Sequence, residues 1–179
     1  MLVNHLQKGY SDFLFDFLST EKSLDLDMKI LDVGCGHLRH LKLLEEIGFS
    51  NLYGIDKRPL SNPQKVQSFT YTRLNLDQAD IPYSDESFDI VICNFVLNFI
   101  QPSRQIAVLQ ELMRVTKRYL LLETYPYDSK KRKTTHYQPY SFEEYIKTIE
   151  EDPRFTIVKK RHFPRNRTEK LWCVKKGEG

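Results

Sequence analysis

The chain has 179 residues, close to the size of one domain and long enough to bury a core without disulfides or metals. Apolar residues make up 40% and charged residues 28%, values that exclude a disordered or collagen-like chain. No apolar run reaches the roughly 18 residues of a transmembrane helix, and the first ten residues lack a signal-peptide pattern, so we expect no membrane association. Three widely separated cysteines predict neither a disulfide framework nor a metal site, and they favour a reducing, cytoplasmic compartment.

Charge is distributed unevenly along the chain. Residues 1–125 carry 13 Lys and Arg against 16 Asp and Glu, a net charge of −3, whereas residues 126–179 carry 14 against 8, a net charge of +6. A basic region of this kind is typical of proteins whose partner bears phosphates. Lysines that protect exposed strand edges from pairing with other chains produce the same composition, so charge alone leaves both interpretations open.

The hydrophobic pattern predicts alternating helices and strands. Helices are predicted at residues 4–18, 38–47, 103–115 and 141–151, and strands at residues 28–33, 51–55, 69–74, 88–93 and 119–123. Two further strands, 155–161 and 170–174, are predicted to form a C-terminal antiparallel hairpin through residues 164–167. Gly48 is expected to end the second helix, and Ser141 with Glu144 to form a capping box at the start of the last. Alternating elements predict an α/β fold with a mostly parallel, seven-stranded sheet.

Ligands of such sheets bind beyond the carboxyl ends of the strands, and a glycine turn lies at the first of these ends. Gly34 and Gly36 follow the first strand and precede a helix, so a ligand can approach the backbone closely and meet unpaired amides. Asp32 lies in the buried strand, where a carboxylate is costly unless it is paired. We expect it either to hold the amides of the glycine loop or to face a cationic ligand.

Two more acidic residues follow the next two strands. Asp56 comes 22 positions after Gly34, a spacing suited to binding the hydroxyls of a ribose, although a helix cap before Arg58 is the structural alternative. Asp77, which precedes Gln78, is placed to accept a hydrogen bond from the exocyclic amine of a base, and a purely structural role is its alternative.

These motifs make the sequence similar to the class I S-adenosylmethionine-dependent methyltransferases. The resemblance rests on Ile-Leu-Asp-Val-Gly-Cys-Gly at 30–36, Tyr-Gly-Ile-Asp at 53–56 and the acidic segment 77–89, and it continues through residues 90–99 to the helix that ends at Val115. It implies a Rossmann-like, doubly wound fold and S-adenosyl-L-methionine as the cofactor. We expect residues 28–179 to form this domain and residues 1–27 to form a helix and connector that partly cover the ligand.

The resemblance also implies roles for individual residues. The matched positions are Asp32, Gly34, Cys35 and Gly36 for the methionine-side loop, Asp56 and Lys57 for the ribose, Asp77 and Gln78 for the adenine, and Cys93 and Asn94 for the methionine group and the incoming acceptor. One position departs from the family pattern, since Leu38 stands where a third glycine is common. The backbone at this position is therefore not expected to approach the cofactor closely, and Leu38 is expected to pack inward as the first apolar residue of the helix.

No dedicated catalytic base is identified, and the family requires none in general. The methyl group is already electrophilic, so the enzyme mainly aligns the acceptor, and a base is needed only where a proton must leave early. The candidates are Asn94, His37, Glu123, His136 and Tyr10, and each of the last four also has a structural interpretation as a cap, an ion-pair partner, a solvated residue or a core residue.

No inserted substrate domain is visible, so we expect the N-terminal helix, the loop after Asn94 and the loop at 125–140 to recognise the acceptor. The first hypothesis for the acceptor is an N or O nucleophile of a small polar metabolite. RNA is the second hypothesis, with Lys130–Lys133, Lys159–Arg161 and Arg165–Arg167 as possible phosphate contacts. The segment Asn94–Leu97 lacks the tandem prolines and tyrosine of many enzymes that methylate amino groups of nucleobases. A nicotinamide-dependent oxidoreductase is disfavoured by Arg39, which replaces a required glycine. A cofactor-binding but non-catalytic subunit stays open, as does the oligomeric state.

Overall fold

The computed structural model describes residues 12–60, 68–124, 142–163 and 168–176. The helices are α1 (Asp12–Thr20), α2 (Arg39–Ile47), α3 (Pro102–Val115) and α4 (Phe142–Glu150), and a short 3₁₀ helix spans Leu97–Phe99. The strands are β1 (Lys29–Val33), β2 (Asn51–Asp56), β3 (Phe69–Arg73), β4 (Phe88–Asn94), β5 (Thr116–Thr124), β6 (Phe155–Phe163) and β7 (Thr168–Lys175). The sequence predictions for Tyr10, His136, the basic loop at 125–140, the capping residue Ser141 and the hairpin connection at 164–167 lie outside the described residues.

The strands form one sheet in the order β3-β2-β1-β4-β5-β7-β6. Strands β1 to β5 pair in parallel, and β7 pairs antiparallel with both β5 and β6. The predicted α/β fold with a mostly parallel seven-stranded sheet and a C-terminal antiparallel hairpin is therefore confirmed. Strand β1 has β2 on one side and β4 on the other, so the strand order reverses there, and such a switch point opens a crevice for ligands.

Each strand contributes side chains to two separate hydrophobic layers, because successive residues of a strand point to opposite faces. Leu31 and Val33 of β1 pack in the layer that contains α3 and α4, which we call the α3/α4 face. Ile30 packs in the layer that contains α1 and α2, the α1/α2 face. Asp32, two residues after Ile30, therefore points to the α1/α2 face, and this alternation determines which groups surround it.

Helix α1 is joined to the C-terminal hairpin. Phe17 is fully buried and meets Tyr119 and Trp172 edge-on, with ring centroids 5.2 Å and 5.1 Å away. Ion pairs link Asp12 to Lys170 and Asp16 to Lys159 from the same helix. The covering role predicted for residues 1–27 stays a prediction, since residues 1–11 lie outside the described part.

Several boundaries follow local chemistry that the sequence already indicated. Gly48 ends α2 in the left-handed conformation, with φ of 118°, and its amide donates to the carbonyls of Leu44 and Glu45, as its type predicted. Strand β5 begins at Thr116, three residues earlier than predicted, because the chain passes directly from α3 into pairing with Phe88.

Within the described ranges, no helix is both long and apolar enough to cross a membrane.

Candidate functional site

A cleft of about 480 Å³ opens at the carboxyl ends of β1 to β4, at the switch point of the sheet. Its volume lies within the roughly 300–1,000 Å³ of small-molecule sites. It is lined by Gly34, Arg39, Ile55, Asp56, Lys57, Arg58, Leu74, Asn75, Leu76, Asp77, Asn94, Phe95, Val96, Phe99 and Ile100. Five of the residues matched from sequence, Gly34, Asp56, Lys57, Asp77 and Asn94, are thus brought together from four strand ends.

The glycine loop is held against the end of β2. The amides of Gly34 and Cys35 donate to the carbonyl of Ile55 at 2.7 Å and 3.0 Å, and the amide of Gly36 donates to Oδ2 of Asp56 at 2.9 Å. Asp56, rather than Asp32, therefore binds an amide of the loop, and this corrects the first of the two roles expected for Asp32. Both glycines have positive φ, 73° at Gly34 and 52° at Gly36, which explains the residue type at each position.

Gly34 also has no room for a side chain. A Cβ atom built there would lie 2.1 Å from Cγ2 of Val96, which belongs to the loop after β4. The preceding Phe95 has a positive φ of 58°, and its amide donates to the carbonyl of Glu123 at 2.7 Å. The loop after β4 is therefore turned onto the glycine loop, and the absence of a side chain at Gly34 allows this contact.

Asp56 is ionised and almost fully buried, with 7% of its surface exposed. Its Oδ1 accepts hydrogen bonds from the backbone amide of Arg58 at 2.9 Å and from the side-chain Nε at 3.2 Å. Burial alone would raise the pKa of Asp56, but the hydrogen bonds from Arg58 and Gly36 outweigh it and hold the pKa below its usual value. A carboxylate has about four acceptor positions, so the two bonds from Arg58 and the one from Gly36 leave about one position, on Oδ2, for a hydroxyl group.

Asp77 has a structural contact as well as a place in the cleft. Its Oδ1 accepts a hydrogen bond from the amide of Gln101 at 2.7 Å, immediately before α3 begins at Pro102. The carboxylate thus satisfies one of the unpaired amides that every helix start presents. Gln78, the second residue matched to the adenine, is exposed and does not line the cleft.

The two matched cysteines are buried away from the cleft. Cys35 packs against Gly54, where a built Cβ atom would lie 2.8 Å from the sulfur, and Cys93 is completely buried. Burial raises the pKa of both thiols, so both stay protonated and inert. Only the backbone of these residues is left to meet a ligand.

A row of polar side chains crosses the α1/α2 face at the same strand ends. Asp32 on β1, Asn94 on β4, Glu123 on β5 and Lys170 on β7 belong to successive strands of the sheet, and Asn94 is level with Glu123, which is level with Lys170. Nζ of Lys170 lies 3.2 Å from Oε1 of Glu123, and both residues are at most 4% exposed. Glu123, a candidate base, is therefore held in a buried ion pair.

His40, in the first turn of α2, lies next to Asp32 of this row, and it was not among the residues identified from the sequence. Its Nδ1 lies 3.6 Å from Oδ2 of Asp32. Burial disfavours the charged imidazolium, but the nearby carboxylate of Asp32 and, further away, that of Glu123 outweigh burial and raise the pKa of His40. Its position in the first turn of α2, directly after the glycine loop, is the signal that could have revealed it.

Two buried oxygen atoms in this row have no hydrogen-bond partner among the described residues: Oδ2 of Asp32 and Oδ1 of Asn94. Buried polar atoms of folded proteins are nearly always paired, because an unpaired one costs about 1–3 kcal/mol. Both atoms are hydrogen-bond acceptors beside the glycine loop, so the site is suited to a ligand that carries N–H or O–H donors there.

The remaining predicted residues have simpler surroundings. His37 is exposed and does not line the cleft. Leu38 packs inward as expected, with 5% exposure, but it is the N-cap residue before α2 rather than a residue of the helix, and its φ of 61° is left-handed. That conformation costs about 1–2 kcal/mol for a residue with a side chain, so it favours the glycine that the family resemblance implies at this position. No group of three metal-ligating side chains is found in the described part of the chain.

A second hollow of about 620 Å³ lies at the other end of the strands, near the start of β4 and the end of β7. Its charged side chains are already paired: Arg114 with Asp85 at 2.8 Å, Lys175 with Glu86 at 2.8 Å and Arg154 with Asp152 at 2.7 Å. We therefore assign the ligand site to the smaller cleft, which lies at the switch point and is lined by Asn94 with its unpaired Oδ1.

Comparisons with known proteins agree with this assignment. Residues 31–119, which span β1 to β5 and the whole cleft, match the family model described as a methyltransferase domain. No curated protein sequence matches the chain.

Several solved structures share the fold. Magnesium protoporphyrin IX methyltransferase from Synechocystis PCC 6803, crystallised with SAH, is 22% identical, with a TM-score of 0.71 over 97% of this chain and 84% of that one. The 1,6-didemethyltoxoflavin-N1-methyltransferase from Burkholderia thailandensis is 16% identical, with a TM-score of 0.63 over 85% and 72%. A chain from the complex that contains the Haloferax volcanii Trm112 methyltransferase activator is 14% identical, with a TM-score of 0.73 over 98% and 93%.

Replacing Gly34 with alanine should destabilise the protein by several kcal/mol, because backbone strain adds about 1–2 kcal/mol and overlap with Val96 about 1–3 kcal/mol. The double variant Gly34→Ala/Val96→Ala should recover the steric part only. Gly48→Ala is the control, since its φ is also positive but its nearest neighbour is an exposed leucine side chain. Urea denaturation of the wild type and the three variants measures the free energy of unfolding of each. A Gly34→Ala variant no less stable than Gly48→Ala would contradict the contact.

Asp77→Ala should lower the stability of the ligand-free protein by about 1 kcal/mol, because the amide of Gln101 loses its acceptor. Asp77→Asn retains a side-chain oxygen and should lose less than half as much. Asp25→Ala, an exposed acid far from the cleft, serves as the control. Thermal unfolding provides the measurement, and equal stability of Asp77→Ala and the control would rule out the structural role.

Proposed function

Because the chain belongs to the S-adenosylmethionine-dependent methyltransferases with the class I fold, we propose that it methylates a nitrogen or oxygen atom of a small polar metabolite. The observation that carries the acceptor assignment is the buried, unpaired Oδ1 of Asn94, at the end of β4 beside Glu123. An amide oxygen in this position accepts a hydrogen bond from an N–H or O–H group and so orients the atom that receives the methyl group.

We assign parts of the cofactor by chemistry to residues of the cleft and to Asp32 of β1, which lies two residues before Gly34 and does not itself line the cleft. The ionised Asp56 is suited to the ribose hydroxyls, and the cleft wall that contains Asp77 to the adenine. The buried Oδ2 of Asp32, which accepts no hydrogen bond from the described residues, is suited to the α-ammonium group of the methionine part, because a carboxylate at that depth favours a cationic partner. Positive φ at Gly34 and Gly36 lets the backbone come close to the ligand between these groups.

S-adenosylmethionine supplies an electrophilic methyl group on a positively charged sulfur. The protein's own contribution is therefore alignment, which can lower a barrier by about 7–11 kcal/mol in favourable cases. Asn94 orients the acceptor, and the loop at Val96 fixes the glycine loop on which the cofactor rests. Glu123 is engaged with Lys170, so we propose that it positions Lys170 and Asn94 rather than accepting a proton.

A small acceptor is favoured over RNA by the pairing of the basic residues. In the described C-terminal region, ion pairs join Lys147 to Glu151, Arg154 to Asp152, Lys159 to Asp16, Lys160 to Glu150, and Lys175 to Glu86. Much of the local positive charge is thus neutralised within the fold, which weakens its attraction for phosphates. Two of the similar structures are methyltransferases named for small organic molecules, magnesium protoporphyrin IX and 1,6-didemethyltoxoflavin.

The acceptor class can be tested by methyl transfer from labelled cofactor to two fractions of a cell extract, small molecules and RNA, each incubated with purified protein. We expect label in the small-molecule fraction, and Asn94→Ala should reduce that transfer by at least tenfold while S-adenosylhomocysteine still binds. Label found only in RNA would contradict the proposal. In that case the logarithm of the RNA affinity should fall with the logarithm of the salt concentration, with a slope of about one for each phosphate contact.

Asp56→Ala should weaken the binding of S-adenosylhomocysteine by about 2–4 kcal/mol, because charge-assisted hydrogen bonds in a buried site are lost. Isothermal titration calorimetry measures the affinity, with Asp25→Ala as the matched control. Thermal unfolding of both variants shows whether the ligand-free fold persists. Unchanged affinity in a folded Asp56→Ala variant would rule out the ribose assignment.

A further inference from the structure

We propose that His40 is a positioning residue that acts through Asp32: its imidazolium neutralises the buried carboxylate before cofactor binding, and it releases its proton when an ammonium group binds there. The inference rests on the assignment of Asp32 to the amino-acid end of the cofactor under the proposed function. It adds a residue that the family resemblance did not identify and a dependence of cofactor affinity on pH.

The geometry around Asp32 leaves one oxygen available. The residue is 2% exposed, and its Oδ2 has no hydrogen bond from any residue in the described part of the chain. Nδ1 of His40, at 3.6 Å, is too far for a good hydrogen bond but close enough for a strong electrostatic attraction. His40 can therefore balance the charge of Asp32 without occupying the position that a ligand donor would take.

Two other charged groups act on His40, one on β5 and one on α2. Glu123 on β5 favours the imidazolium, and Arg39 on α2 opposes it. Glu123 is already balanced by Lys170 at 3.2 Å, and Lys170 also pairs with Asp12 of α1. Asp32 is thus the acid in this group that depends on His40 for its counter-charge.

A proton on His40 and an ammonium group on Asp32 exclude each other. Burial lowers the pKa of His40, but the carboxylates of Asp32 and Glu123 outweigh burial and raise it above the usual value of about 6.5. An ammonium group bound to Oδ2 would place a second positive charge beside the imidazolium, so the proton would pass to solvent. Cofactor affinity should then fall as pH decreases through the raised pKa of His40, by up to tenfold per pH unit.

A histidine that merely packs at the start of α2 would behave differently. Its replacement could change stability, but it would not link proton release to the amino-acid end of a ligand. Two probes separate these cases. S-adenosylhomocysteine carries the ammonium group, whereas 5′-methylthioadenosine keeps the nucleoside and the thioether and lacks the amino-acid end.

The test is isothermal titration calorimetry at about pH 6 and about pH 8, on either side of the expected transition, in buffers of different ionisation enthalpy. For the wild type, S-adenosylhomocysteine should release up to one proton and bind at least tenfold more weakly at the lower pH, while 5′-methylthioadenosine should show neither effect. In His40→Gln, both effects should disappear for S-adenosylhomocysteine, with little change in the affinity for 5′-methylthioadenosine.

Equal proton release by both probes, or a pH dependence that persists in folded His40→Gln, would overturn the proposal. An NMR titration of the His40 ring in the wild type gives an answer even if the variant does not fold. Its pKa should decrease when S-adenosylhomocysteine binds, and an unchanged pKa would contradict the proposal. If neither probe binds the wild type, the cofactor site itself is wrong, whereas binding without proton release rejects only the role of His40.

Discussion

The attachment of the glycine loop to the end of β2 is the constraint on which the rest of the site depends. Three consecutive amides, those of Gly34, Cys35 and Gly36, are bound by the carbonyl of Ile55 and the carboxylate of Asp56. These bonds hold the loop in a conformation with positive φ, and the loop after β4 packs on top of it through Val96. One acid therefore shapes the loop and, in the proposed function, also binds the ribose.

The second organising feature is the row of polar side chains on the α1/α2 face, most of which are charged and buried. Burying ionised groups is costly unless each is paired, and these groups are brought together by strand register rather than by one sequence motif. Lys170 comes from β7, Glu123 from β5 and Asp12 from α1, so the ion pairs connect the N-terminal helix to the C-terminal hairpin. In the same row, Oδ2 of Asp32 and Oδ1 of Asn94 accept no hydrogen bond from the described residues, and we assign these two atoms to ligands.

Most of the fold was predictable because each strand is bounded by a clear signal. The apolar segments that became β1, β2 and β4 are followed by Gly34, Asp56 and Asn94, and all three line the cleft in the structure. Motif spacing thus located the strand ends correctly. The 3₁₀ turn at Leu97–Phe99 was not predicted, because its apolar residues follow neither helical nor strand periodicity.

What the sequence could not reveal were contacts that depend on tertiary packing. His40 lies close to Asp32 because α2 covers the face of the sheet to which Asp32 points. Its position in the first turn of α2 was readable from the sequence, whereas the contact with Asp32 depends on how α2 packs. The bond from the Gln101 amide gives Asp77 a structural role that the match to the adenine site did not indicate. Likewise, the sequence made Glu123 a candidate base, and only the pairing of β7 with β5 shows that Lys170 lies beside it.

The central claim is that one cleft at the switch point binds the cofactor, with its ribose on Asp56 and its amino-acid end on Asp32. A crystal structure of the protein with S-adenosylhomocysteine tests it most directly. The account predicts a ribose hydroxyl within hydrogen-bond distance of the Asp56 carboxylate and the ammonium nitrogen within hydrogen-bond distance of Oδ2 of Asp32. Ligand bound in the hollow between Arg114 and Arg154, or bound in the cleft without contact to either acid, would contradict it.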